Sequence, residues 1–248
     1  DGSLTDASGT SAELNSALSG VRLASSSTDT GYGYIAAGST GADTITLATG
    51  TVVGSSPMTY GSLSHTIGSD ILGSIIFAGA GADNITGTSS GDIIFGGADN
   101  DTINGGGGRD GDLIFAGFGD DGITVSGTAT VFGGTGSDTL TLDASGVTAD
   151  VYGVETVTGG SGNDAITMQS SLASGTSIDL GAGTDSLQLA AFGNIVSVQN
   201  TETVTGGGGD DDITLSGAGD VTITGGGGGD VLSLGGTGNH TIDFSSAS

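Results

Sequence analysis

Short runs in which aliphatic residues alternate with Thr, Ser or Asp recur along the chain, with glycine-rich turns between them. Such period-two runs predict half-buried β-strands at 138–142 (DTLTL), Ala165–Met168, Ser177–Leu180, Ser186–Leu189 and Ile195–Gln199, and again at Ile213–Leu215, Val221–Thr224 and Val231–Leu234. Earlier, Ile75-Ile76-Phe77, Ile93-Ile94-Phe95, Leu113-Ile114-Phe115 and Val131-Phe132 recur in phase, and stacking them predicts a continuous Ile and Phe core. Parallel strands ordinarily need a helical crossover, but no amphipathic helix fits between runs this short. The exception in pattern is Ser11–Leu23, where Leu14, Ala17, Leu18 and Val21 fall at helical spacing behind Ser11. A short helix capping the first coil and an irregular β arm both fit that stretch. Pro57, the single proline, marks an off-pattern loop over Val53–Tyr60.

The turns repeat as nonapeptides. AGAGADNIT starts at Ala78, GTSSGDIIF at Gly87, GGADNDTIN at Gly96, GGTGSDTLT at Gly133, GGSGNDAIT at Gly159, GGGGDDDIT at Gly206 and GGGGGDVLS at Gly225. In each, the sixth residue is Asp and the eighth is aliphatic. Two nonapeptides per coil give a step of 18, which Asp83 to Asp101 obeys. The series Asp83, Asp101, Asp121, Asp138, Asp164, Asp185, Asp211 and Asp230 then reads as one edge of a solenoid, headed by Asp43 and by His65 in an Asp position. Its longer steps read as coils with insertions on the opposite edge, at 144–150 and 190–194. Asp92 and Asp112 fall on that opposite edge, Asp112 being preferred to Asp110 because GDIIF and GDLIF align. A longer duplication also appears: VETVTGGSGNDAIT from Val154 and TETVTGGGGDDDIT from Thr201 are near copies. They read as two units of two coils each, with a last coil at Asp230. Internal repeats of this length mean a solenoid. The expected fold is all-β, a right-handed parallel β-roll or β-helix with calcium-binding Gly-Asp turns. Its expected parts are an N-terminal cap or arm (1–34), a β-roll (35–132) and a tandem-duplicated β-helix with longer coils (133–248).

Charge sharpens this picture. The formal net charge is −26, with 28 acidic residues against two basic ones, Arg22 and Arg109. That excludes nucleic acid as a partner, because phosphate neutralisation needs clustered Lys and Arg, and it disfavours an anionic membrane surface. No apolar run is long enough for a membrane helix. So much unbalanced negative charge repels itself unless cations neutralise it, and a chain with 53 glycines is expected to be disordered without them. Calcium, a hard cation that prefers oxygen, suits Asp best. The absence of cysteine rules out disulfides. Beginning at Asp1, the sequence reads as a mature product or a fragment.

The nonapeptide matches GGxGxDxUx, with U a large aliphatic, and on these residues the chain resembles the hemolysin-type (RTX) calcium-binding proteins. The resemblance implies ions held between loops one coil apart by sixth-position Asp and loop carbonyls. Carried over, the ligands are Asp83, Asp92, Asp101, Asp112, Asp121, Asp138, Asp164, Asp185, Asp211 and Asp230, for several calcium ions. His65 and His240 stand in Asp positions and mark where the ladder stops, and Arg109 reads as a local counter-ion. No nucleophile elbow, zinc-protease motif, phosphate loop or Cys nucleophile is present, so no catalysis is expected. The resemblance implies export by type I secretion and a bacterial extracellular or cell-surface location. Two functions fit it. One is a structural subunit that self-associates in a surface layer or filament, with a cell-surface polysaccharide as a candidate partner. The other is the calcium-folding module of a larger secreted adhesin, protease or lipase.

Overall fold

Period-two runs of three to eleven residues joined by tight glycine turns stack directly onto one another as two parallel sheets. The computed structural model describes residues 34–37, 44–46 and 74–243. The reading of Ser11–Leu23, the Pro57 loop, Asp43 and His65 lie outside the described residues. The first sheet has eleven strands: β1 (Tyr34–Ala37), β3 (Ser74–Ala80), β5 (Ile93–Ala98), β7 (Gly108–Phe118), β9 (Gly127–Thr135), β11 (Thr148–Tyr152), β13 (Ala165–Met168), β15 (Ser186–Gln188), β17 (Thr203–Gly207), β19 (Val221–Gly226) and β21 (His240–Asp243). The second has ten: β2 (Thr44–Thr46), β4 (Asn84–Thr86), β6 (Thr102–Asn104), β8 (Gly122–Val125), β10 (Thr139–Leu142), β12 (Thr156–Thr158), β14 (Thr176–Asp179), β16 (Ile195–Gln199), β18 (Asp212–Ser216) and β20 (Val231–Leu234). Odd strands pair only with odd and even only with even, so every turn crosses between sheets and two turns complete a coil. This is the expected all-β parallel solenoid.

Alternation sends one side chain in each pair of neighbours into a narrow core. Ile85, Ile103, Ile123, Leu140, Val157 and Ile178 stand in register on successive even strands, and none is more than 1% exposed. Ile76, Ile94, Ile114, Val131 and Val151 form the facing column, each fully buried. Burying each such side chain contributes roughly 1.5–3 kcal/mol, and like aliphatic side chains lie above and below it.

Two expectations are corrected here. The Phe residues are not part of the core. Phe77, Phe95, Phe115, Phe132 and Tyr152 follow the buried aliphatic column by one residue, so the pleat turns them to the outer face. There they stack with centroids 4.8, 4.9, 4.7 and 4.3 Å apart and nearly parallel planes. The coils of the second half also carry no large insertions. The 47-residue duplication spans five strands, β10–β14 and then β15–β19, which is two and a half coils rather than two. Consecutive copies therefore exchange sheets: β12 of one copy lies in the second sheet and its counterpart β17 in the first. A nonapeptide is half a coil, so either face can receive either copy.

Candidate calcium turns

Each turn must reverse the chain between sheets in about six residues, with the next coil pressed against it. Its second position illustrates the constraint. Gly97 and Gly134 have φ of 125° and 114°, and a Cβ on either would collide with the carbonyl oxygen of Gly79 or Gly117 in the coil before. The first position is small for another reason. A Cβ on Gly96 or Gly133 would sit 2.5 or 2.6 Å from Oδ2 of the Asp five residues on, Asp101 or Asp138. The turn thus closes around its own carboxylate. Asp99 takes the fourth position with φ of 74°, and its carboxylate accepts the Gly81 N–H at 3.2 Å.

The sixth-position carboxylates form two ladders. On the edge leading into even strands, Oδ1 of Asp101, Asp121 and Asp138 accepts the backbone N–H of Asp83, Asp101 and Asp121 at 2.9, 2.8 and 2.9 Å. Glu155 continues this run by accepting the Asp138 N–H at 2.8 Å. Asp211 and Asp230 lie on the same edge further along, accepting the N–H groups of Asn194 and Asp211. On the edge leading into odd strands, Asp112 accepts from Asp92, Asp164 from Val147, Asp185 from Asp164, and Glu202 from Asp185, at 2.7–3.0 Å. Asp112 therefore stacks on Asp92, as the alignment of GDIIF with GDLIF expects.

This corrects the single-edge series. Asp164 and Asp185 belong to the opposite edge, with Asp92 and Asp112. The pairings Asp138–Asp164 and Asp185–Asp211 are not made; Asp138 meets Glu155 and Asp185 meets Glu202, each 17 residues on. The apparent 26-residue coil was one and a half coils. Glu in the sixth position hid the step, and the signal that could have revealed it was the GluThrValThrGly phrase shared by both copies of the duplication.

Fifth-position residues supply a counter-ladder that the sequence reading missed. Asn100 accepts the Asp120 N–H, Asp120 that of Ser137, Asn163 that of Thr184, Asp210 that of Gly229, and Asp220 that of Asn239, at 2.7–3.0 Å. The sixth residue reaches back one coil and the fifth reaches forward, so adjacent side chains clasp both neighbours.

The electrostatics show what the turns lack. Oδ2 of Asp101, Asp112, Asp121, Asp138, Asp164 and Asp185 is buried with no hydrogen-bond donor, although a buried polar group ordinarily finds a partner. Burial pushes Asp101 and Asp112 up to about 7 and Asp138 to about 6, against a partial offset from the backbone N–H each accepts. Asp121, Asp164 and Asp185 are raised by the same cause. Neighbouring carboxylates add to the shift, as Asp121 and Asp83 do for Asp101. A buried carboxylate oxygen with no donor has the chemistry of a hard-cation ligand. No three acidic or His side chains converge among the described residues, so an ion here would take one or two carboxylates and complete its roughly 6–8 oxygens from turn carbonyls. The six named aspartates fit calcium on these grounds.

The remaining candidates differ. Asp83 and Asp92 are buried, and Asp92 also accepts the Thr88 N–H at 2.6 Å and the Thr88 hydroxyl. Asp211 has both oxygens bonded, Oδ2 taking the Gly207 N–H at 3.1 Å. Asp230, in the last turn before β20, is only partly buried. His240 opens the last strand, with Nδ1 buried and unbonded. The Arg109 side chain, read as a counter-ion, lies outside the described residues.

Two parallel sheets joined by Gly-Asp turns with donor-poor carboxylates define a parallel β-solenoid with carboxylate-bearing turns. The family model of the RTX calcium-binding nonapeptide repeat (4 copies) matches residues 77–111, 123–145 and 151–167. The chain thus carries RTX calcium-binding repeats and resembles the RTX repeat proteins in the turns and strands described above. No curated protein and no solved structure matches it.

Proposed function

We propose that the chain is an extracellular structural subunit, folded by calcium and self-associating in a surface layer or filament. The observation that carries this reading is the outward aromatic ladder from Phe77 to Tyr152. Its rings stack face to face, so a sugar cannot lie on them and only ring edges are presented. Along β3, β5, β7 and β9 the described outward side chains carry no charge: Phe77, Ile93, Phe95, Leu113, Phe115, Thr130 and Phe132. On a chain of net charge −26, two copies meet with least repulsion through such a face. The role is structural rather than catalytic in this reading, since the carboxylates are spent on the turns.

Sedimentation velocity with calcium and with chelator tests it. Association in calcium, weakened by Phe95→Lys, is expected. A monomer at high concentration in calcium contradicts self-association and favours the second reading, a calcium-folding module of a larger type I-secreted protein.

A further inference from the structure

We propose that Asn194 is a built-in substitute for calcium, its amide N–H groups bonding in one turn the kinds of oxygen that a cation draws together in the aspartate turns. This rests on the reading that the other turns bind calcium. Asn194 stands in the sixth position of the turn before β16, and it is fully buried. Half of its side chain does what Asp does elsewhere: Oδ1 accepts the Leu172 N–H from the coil before, at 3.2 Å. Its own N–H donates to Oδ1 of Asp211 at 3.0 Å, as in the aspartate ladders.

The other half reverses sign. Where six aspartates carry an oxygen with no donor, Asn194 carries Nδ2, and three oxygens surround it. These are the Phe192 carbonyl at 2.6 Å, the Asp211 carboxylate at 2.7 Å and the Ala190 carbonyl at 3.1 Å. Two turn carbonyls and a carboxylate of the next coil are the oxygen types a calcium ion draws together. The amide has two N–H groups to offer them, one of them shared. The orientation is fixed by its partners, because exchanging O and N would set an oxygen against three acceptors and an NH2 against a donor. Asp211 is thereby satisfied without a metal, since Gly207 bonds its other oxygen. The coils carrying β14, β16 and β18 are clasped by a side chain, while Asp138, Asp164 and Asp185 in the turns before it each bury an oxygen with no donor. Calcium-dependent coils then have a metal-independent stack to grow from.

Equilibrium dialysis with radiolabelled calcium tests this on the full chain. Asn194→Asp removes the amide and restores an unpaired oxygen, so N194D should fold in saturating calcium and bind more ions per chain than the parent. At about pH 5 in chelator, where protonated aspartates keep the parent ordered, its melting midpoint should fall below the parent's. N194D that folds and binds no extra ion overturns the proposal, as does N194D that stays unfolded in saturating calcium. Asn194→Ala removes the clasp and supplies no ligand. Hydrogen exchange at the Leu172 amide in calcium should then quicken roughly tenfold or more, while exchange at the distant Asp101 amide is unchanged. Unchanged Leu172 exchange in N194A also overturns it. A parent that binds no calcium defeats the underlying reading, whereas a calcium-binding parent with an indifferent N194D defeats this inference alone.

Discussion

At the scale of single residues, Asp101, Asp112, Asp121, Asp138, Asp164 and Asp185 each hold one oxygen against a backbone N–H and bury the other without a donor. Without a cation this is unfavourable for the ionised form, and the sign of the pH dependence follows. Asp101, Asp112 and Asp138 have folded-state values raised to about 7, 7 and 6, above the ~3.9 of an unfolded Asp. A raised carboxylate contributes stability that is fully present below the unfolded value and is lost as pH rises through the folded one. In chelator, the protein should therefore be most ordered near pH 4 and should lose its midpoint progressively across pH 6–7. Calcium needs the deprotonated carboxylate, so its stabilising effect should grow over the same window. Thermal melts at several pH values, with chelator and with calcium, check this; a chelated protein that grows more stable from pH 5 to pH 7.5 contradicts it. The identity of these residues was legible because Gly-Gly-x-Gly-x-Asp has few other physical uses. Glu155, Glu202 and Asn194 were not, since each departs from the Asp letter while keeping its backbone hydrogen bond.

At the scale of elements, the strands were readable from alternation alone, and their assignment to two faces was not. In the runs Ile75-Ile76-Phe77 and Ile93-Ile94-Phe95, three apolar residues in a row conceal which member points inward. The pleat decides: Ile94 is fully buried while Phe95 stacks outside on Phe77 and Phe115. Ile94→Lys should abolish the cooperative transition in calcium, because an unpaired buried charge costs several kcal/mol. Phe95→Lys should fold, losing roughly 1–3 kcal/mol for two ring pairs. Chemical denaturation of both variants checks this, and equal loss of fold in the two would return Phe95 to the core. The edges were misread for a related reason. Half a coil resembles the other half, so a step of 26 residues fits both a lengthened coil and one and a half ordinary ones. The hydrogen bond from the Asp138 N–H to Glu155 and the register of Leu140 with Val157 distinguish them.

At the scale of the whole molecule, a thin core is flanked by two carboxylate edges, and the overall charge of −26 opposes bringing them together. The aliphatic columns and the parallel ladders supply the cohesion, but both require stacked coils. Repulsion between the carboxylate edges opposes stacking, and cations held between coils would relieve it. On the proposed reading, the coils with donor-free carboxylates fold as they bind ions, and the metal's binding free energy enters as folding free energy. The most direct test is far-ultraviolet circular dichroism at pH 7.5 as calcium is titrated into the chelated chain. The expected result is a weak, largely disordered spectrum that converts cooperatively to a β spectrum as calcium is added and reverts with excess chelator. A full β spectrum in chelator at that pH, unchanged by calcium, would contradict the account.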